Sequence, residues 1–277
     1  MLTVDGYEIF HRIEGNGPPL LLIHGFPTAS WDWHALWPAL AARHRCIAID
    51  LLGFGYSAKP RRDVYRVAEQ AARIEVVLEH HGIGRCAILA HDLGDTVAQE
   101  LIARTPERWA AVALLNGGVF PETHRPLLTQ KLLAGPLGGF VARIAGRPAL
   151  ARSFRRIFGT GTQPDARLLD ACQSLIDAGG GRPVLARTIG YMRERVVHRE
   201  RWVGVLVRAT MPLRYVVGMA DPISGAHVAA RWRELIPQAD VVELPGIGHY
   251  PQVEAPQAVL DAVLPFFARA TARLHPG

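Results

Sequence analysis

The stretch Ile88-Leu89-Ala90-His91-Asp92-Leu93-Gly94-Asp95-Thr96-Val97-Ala98 constrains the fold more than any other part of the chain. An apolar run that reads as a buried strand passes directly into a helical run, so the backbone must reverse within one or two residues. A turn that tight strains its apex residue and leaves no room for bulk two positions to either side, and Ala90 and Gly94 are small. The apex is Asp92. A strand that ends on a helix N-terminus belongs to chains that alternate β and α and build a mainly parallel sheet flanked by helices.

The rest of the 277 residues fits that alternation. Leu2 to Ile13 reads as a hairpin turning at Asp5-Gly6, and Pro19–Ile23, Cys46–Asp50, Cys86–Ala90 and Ala111–Asn116 read as buried strands. From about Gly118 to Thr210 the β pattern stops. The text there is Arg-, Leu- and Ala-rich helix broken at Gly-Pro, Gly-Gly and Gly-Thr-Gly. Leu213–Val217 and Val241–Leu244 resume the strands, and Pro256 to Leu274 reads as a closing amphipathic helix. The expected organisation is one α/β core, residues 1–118 and 209–277, with a helical lid over 119–208. An insertion at a strand's C-terminal end sits over the crevice where open α/β sheets bind ligands.

Asp92 has two readings. It is either the N-cap of the helix that follows or a nucleophile kept ionised by the positive end of that helix. Its partners in sequence decide for the second. His24-Gly25-Phe26-Pro27 follows the strand ending at Ile23, where backbone N–H groups can stabilise a developing oxyanion. The expected donors are the N–H groups of Phe26 and of Leu93, the residue after the nucleophile. Asp221 ends the strand Tyr215-Val216-Val217-Gly218, and His249 follows the last strand in Gly246-Ile247-Gly248-His249-Tyr250. Nucleophile, acid, histidine is the order in which α/β-hydrolases arrange a triad, so the expected fold is an α/β-hydrolase fold, a mostly parallel sheet flanked by helices with an inserted helical lid. Asp221 would orient the imidazole of His249, the base.

Composition narrows the function classes. The net charge is +6, yet the basic residues are spread along the chain and nearly all arginine, with Lys59 and Lys131 the only lysines, and no nucleic-acid motif accompanies them. A nucleic-acid partner is not expected. Cys46, Cys86 and Cys172 are odd in number and lack CxxC spacing, which suits reduced, buried thiols in the cytoplasm. No leader and no membrane-spanning run is expected, hence no membrane partner. His80-His81 suits a helix end, and without HExxH or a spaced Cys/His cluster no metal site is expected. Trp31 and His91 are candidates to wall a substrate pocket; for Trp31, as for Trp33 and Trp37, core packing is the other reading.

With these residues in view the chain resembles the epoxide hydrolase and haloalkane dehalogenase branch of the α/β-hydrolases over nearly its whole length. More narrowly it is similar to the mesoderm-specific transcript proteins and their bacterial relatives. That similarity is carried by Leu115-Asn116-Gly117-Gly118-Val119-Phe120-Pro121-Glu122-Thr123-His124-Arg125-Pro126, Arg201-Trp202-Val203-Gly204 and Gly248-His249-Tyr250-Pro251-Gln252. The branch has a chemical reason for aspartate: serine attack on an sp3 carbon gives an ether, whereas a carboxylate gives an ester that activated water can cleave. The resemblance implies a small, largely apolar electrophilic substrate and no cofactor. Dehalogenases of the branch place Trp, and fluoroacetate dehalogenases arginines, close after the nucleophile, where this chain has Leu93 and Asp95. Epoxide hydrolases use two lid tyrosines, or one with a histidine, to protonate the leaving oxygen; here Tyr191 and His124 are the candidates. The expected activity is epoxide hydrolysis to a vicinal diol through an Asp92 ester. The alternatives are carbon–halogen hydrolysis, ester or lactone hydrolysis with His249 as general base, and a non-catalytic binding protein on the same fold.

Overall fold

The protein is described here by a computed structural model covering residues 1–62 and 65–272. Leu2–Val4 (β1) and Tyr7–Ile9 (β2) pair as an antiparallel hairpin, with Asp5 and Gly6 both at positive φ in the expected two-residue turn, but the hairpin ends at Ile9 and not at Ile13, because from His11 on the chain pairs in the main sheet. Seven further strands form one sheet: His11–Glu14 (β3), Pro19–Ile23 (β4), Arg45–Ile49 (β5), Cys86–His91 (β6), Trp109–Leu115 (β7), Leu213–Gly218 (β8) and Val241–Leu244 (β9). Their order is β3-β5-β4-β6-β7-β8-β9. β3 runs antiparallel to β5 and every other pairing is parallel.

The expected strands lie within a residue or two of these. Asp50 lies just past β5 and its carboxylate ties two loops together, accepting from the N–H groups of Ser30, after β4, and Tyr56, after β5, at 2.8 Å each. Asn116 drops out of β7 because its backbone turns to φ 42°.

Side-chain alternation along these strands builds two apolar layers. Leu21 and Ile23 of β4, with Ile88 and Ala90 of β6, pack in the layer that holds the helices Val67–His80 and Leu93–Arg104. Leu20, Leu22 and Leu89 pack on the other face with Trp37 and with Val259, Val263 and Phe267 of the closing helix. That helix is described over Pro256–Ala272; Arg273 and Leu274, also expected in it, lie outside the described residues. Burial on both faces explains why these strands read as continuous apolar runs.

Between β7 and β8 the described elements are all helical. The longest are Leu128–Ala134, Gly138–Ile144, Arg147–Ile157, Ala166–Asp177, Tyr191–Val197 and Arg199–Val207. Of the expected breaks, Gly135-Pro136 and Gly159-Thr160-Gly161 fall between helices, whereas Gly138-Gly139 opens a helix and Gly179-Gly180 lies in the short helical turn Ala178–Gly180. The three cysteines are buried and unpaired. No helix among the described residues is long and apolar enough to cross a membrane.

Candidate active site

β6 delivers Asp92 at the sharp turn expected of it. The residue has φ 48° and ψ −105°, and the helix Leu93–Arg104 starts at the next position. A non-glycine residue at positive φ persists only when its surroundings over-determine it. Here they do. A Cβ added to Gly94 would lie 2.2 Å from the Ile23 carbonyl oxygen, and one added to Gly25 would lie 2.7 Å from His91 Nδ1 and 2.9 Å from Asp92 Cβ. Helix, turn and the end of β4 are in contact with no space between them.

The Asp92 carboxylate does not cap its own helix. It faces away instead, with Oδ2 accepting from the Phe26 N–H at 3.1 Å and from Tyr191 Oη at 3.4 Å. On the other side, Arg195 Nη2 lies 3.5 Å from Oδ1 and donates to the Asp92 carbonyl at 2.9 Å. Phe26 thus presents one of the two expected N–H donors to this carboxylate. Leu93, the other, is the first helical residue, whose N–H has no partner within the helix. Burial pushes the Asp92 carboxyl up, but Arg195, His249 and the Phe26 N–H outweigh it and hold the group below its usual range. The carboxylate is buried and ionised.

β8 and β9 bring in the other two members. His249 Nδ1 lies 2.7 Å from Asp221 Oδ2. An ionised carboxylate only accepts, so Nδ1 carries the proton and Nε2 of the neutral ring is left as a base. Burial opposes a charged imidazole, but the Asp221 and Asp92 carboxylates prevail and raise its pKa. Asp221 is itself fixed by three donors. The N–H of Ile223 reaches Oδ1 at 2.8 Å, and Ser224 N–H and Asn116 Nδ2 reach Oδ2 at 3.1 and 2.9 Å. Against the cost of burial, His249 and these donors lower the Asp221 pKa.

Two expected pocket residues are elsewhere. His91 is fully buried behind the turn rather than in a pocket, and its Nε2–H donates to the His249 carbonyl at 2.8 Å. Burial and the neighbouring His249 drop its pKa to about 3, so the ring is neutral and steadies the histidine loop. It is the last residue of β6, and its ring is enclosed by Gly25, His249 and Tyr250, with ring centroids 5.1 Å from His249 and 4.7 Å from Tyr250. Trp31 lies in the Ser30–Trp33 turn, stacks on His34 with ring centroids 4.0 Å apart, packs against the Phe154, Phe158 and Tyr250 cluster, and does not line the cavity that reaches His249.

Tyr191 and His124 approach as follows. Tyr191 is buried, with its hydroxyl on Asp92, and burial beside that carboxylate raises its pKa. His124 follows the short turn Pro121–Thr123, and a Cβ on Gly118 would lie 2.9 Å from its Nδ1 and 2.5 Å from Arg195 Nη1. Neither His124 ring nitrogen has a hydrogen-bond partner among the described residues, and burial with nearby Arg195 lowers its pKa to about 4. It is a neutral histidine at the edge of the site.

Sequence reasoning missed Arg195 and Asn116. Arg195 is buried, donates from Nε to Thr96 Oγ1 at 2.6 Å, and carries its guanidinium 4.6 Å from the centre of the Tyr191 ring. One signal existed: Arg195 stands four residues after Tyr191, on the same helical face. Among 29 arginines that spacing did not stand out.

A cavity of about 160 Å³ runs from His249, Phe26 and Tyr250 outward between the inserted helices, walled by Leu133, Val141 and Leu150 among others. It suits an apolar guest with its reactive end at the polar cluster. No grouping of His, Cys, Asp and Glu that could hold a metal ion occurs among the described residues.

Residues 18–256 match the alpha/beta hydrolase fold family. Over 281 aligned residues the chain is 38% identical to the mesoderm-specific transcript protein of Mus musculus, covering 95% of this chain and 84% of that one. It is 40% identical to the LipZ protein of Mycobacterium tuberculosis over 267 residues, 95% of this chain and 92% of the other. The solved structure of the epoxide hydrolase CorEH superposes with a TM-score of 0.84 at 19% identity, covering 97% of each chain, a likeness of fold alone.

Proposed function

The chain belongs to the alpha/beta hydrolase fold family, and on that premise we propose that it is a hydrolase with Asp92 as nucleophile, acting on epoxides to give vicinal diols. The observation that carries this reading is the carboxylate of Asp92, buried at the strained apex, ionised, and touched by the Tyr191 hydroxyl. A helix cap would spend its oxygens on its own helix; Oδ2 here accepts from the Phe26 N–H and the Tyr191 hydroxyl instead.

In the first step an Asp92 oxygen attacks a ring carbon, the carbon–oxygen bond of the epoxide breaks, and an ester forms. The leaving oxygen takes a proton from Tyr191 Oη, with His124, neutral and with both ring nitrogens open, as second donor. In the second step His249 Nε2 removes a proton from water, and the hydroxide adds to the carboxyl carbon of Asp92. The N–H groups of Phe26 and Leu93 stabilise the oxyanion, Asp221 supports the imidazolium, and on collapse the imidazolium gives its proton to the departing alkoxide, releasing the diol. The proton left on the regenerated Asp92 carboxyl returns to Tyr191 through solvent. Arg195 holds Asp92 ionised and in place throughout.

The helices over 119–208 act as the lid of a core formed by residues 1–118 and 209–277, and the apolar cavity between them selects small, largely apolar substrates. Leu93 offers a departing halide no indole N–H, so epoxides are preferred to haloalkanes. The test is turnover of matched epoxides, haloalkanes and lactones by wild type, Asp92→Ala and Tyr191→Phe. Epoxide turnover abolished by the first change and strongly reduced by the second is the expected result. Lactone turnover that survives Asp92→Ala would replace this reading by water activation at His249.

A further inference from the structure

The helices Leu128–Ala134 and Gly138–Ile144 are apolar on both sides. Their inner residues Leu133 and Val141 wall the cavity that leads to His249. Their outer residues Leu128, Leu132, Leu137, Phe140 and Ile144 are nevertheless between 49% and 71% exposed. These five make up nearly half of the eleven large apolar side chains exposed among the described residues, within a span of seventeen positions. A surface helix of a soluble domain keeps a polar outer face; here the outer face is mostly apolar, with Lys131 and Arg143 its exposed charges. A contiguous exposed apolar patch marks an interaction site.

The charges around the patch choose the partner. Residues 124–164 carry Arg125, Lys131, Arg143, Arg147, Arg152, Arg155 and Arg156 and not one Asp or Glu. All seven cations are exposed, and only Arg147 is ion-paired among the described residues, to Asp170. Two copies of the chain meeting through this face would bring two sets of cations together without counter-charges, which disfavours self-association. An apolar face rimmed by Lys and Arg matches the surface of an anionic bilayer, where side chains enter the acyl boundary and cations meet headgroup phosphates.

We propose that residues 127–156 dock this protein on an anionic phospholipid surface, and that its substrate is an apolar electrophile dissolved in that bilayer. No spanning helix is needed; the contact is peripheral. The substrate half of the proposal rests on the Asp92 reading above, whereas docking does not. A guest leaving the acyl layer passes between two helices that are apolar on both faces and reaches His249 and Phe26 without crossing water.

The experiment is co-sedimentation of the full chain with vesicles of phosphatidylcholine and phosphatidylglycerol, and of phosphatidylcholine alone, with light scattering of the free protein. Binding to the anionic vesicles is expected, weakened about tenfold or more by the exposed-residue variant Leu137→Ser/Phe140→Ser/Ile144→Ser. Lys131→Glu/Arg143→Glu should remove the preference for the anionic lipid. Wild type that binds neither vesicle, or binds as well with the three serines, overturns docking. So does a dimer in solution that the three serines dissociate, which would assign the patch to a second copy. Because binding is read without turnover, a chain that docks yet forms no adduct on Asp92 leaves docking standing and removes only the substrate half.

Discussion

Asp92 is charged in a buried site because Arg195, His249 and one backbone N–H compensate for lost water, and Arg195 is the strongest of these. Replacing Arg195 with Met should therefore let burial win and raise the Asp92 pKa. Attack needs the carboxylate, so the acid limb of single-turnover ester formation should move to higher pH in Arg195→Met, a shift that a purely structural role would not produce. The second step has the opposite partner. His249 must be neutral to accept a proton; in the free site Asp221 and Asp92 raise its pKa against burial, and once Asp92 is esterified and uncharged only Asp221 of these two still does. Ester hydrolysis should accordingly rise with pH, with a midpoint below the His249 pKa of the free enzyme. In Asp221→Asn that midpoint should fall and the plateau rate should drop by about 10³–10⁴-fold, read by stopped-flow decay of the ester. Tyr191→Phe tests the donor alone. Epoxide kcat/KM should drop about 10²–10⁴-fold with the fold and Asp92 reactivity toward a haloalkane largely kept.

Among elements, the contact of β4 with the helix Leu93–Arg104 sets the geometry of the turn. It admits nothing at Gly94, where a methyl group would meet the backbone oxygen of Ile23. Gly94→Ala should cost about 1–3 kcal/mol in urea unfolding and displace the Phe26 N–H from Asp92, with activity lost beyond what stability explains. These elements were legible in the sequence for a physical reason. Strands buried on both faces give unbroken apolar runs, and Ala90 and Gly94 betray the turn because nothing larger fits. Within the inserted helices the sequence shows helical text and glycine breaks, but not which face looks inward. Their residues are apolar on two sides, so periodicity gives no direction, and Arg195 looks like any other arginine. Trp31 and His91 were misassigned because proximity in sequence to the loop and the turn does not fix which way a side chain points.

For the whole molecule, one buried acid outside the chemistry links stability to pH. Asp32, which accepts from Thr28 Oγ1, is forced by burial to a pKa of about 8. Its unfolded value is about 3.9, so across that interval the folded state holds a proton that the unfolded state has lost, and stability falls as pH rises. Asp32→Asn keeps an acceptor for Thr28 and removes this slope. Its Tm relative to wild type should climb from about pH 4 to about pH 8 and then level off. The parallel sheet carries Asp92, Asp221 and His249 after three of its strands and pairs the last two of them, and the covalent route through Asp92 is the central claim. It is tested most directly by intact-mass measurement of the His249→Gln variant after incubation with a panel of epoxides. A stable adduct equal in mass to the epoxide, mapped to Asp92 and absent from His249→Gln/Asp92→Asn, is the predicted result. No adduct, together with wild-type turnover that survives Asp92→Ala, would contradict it.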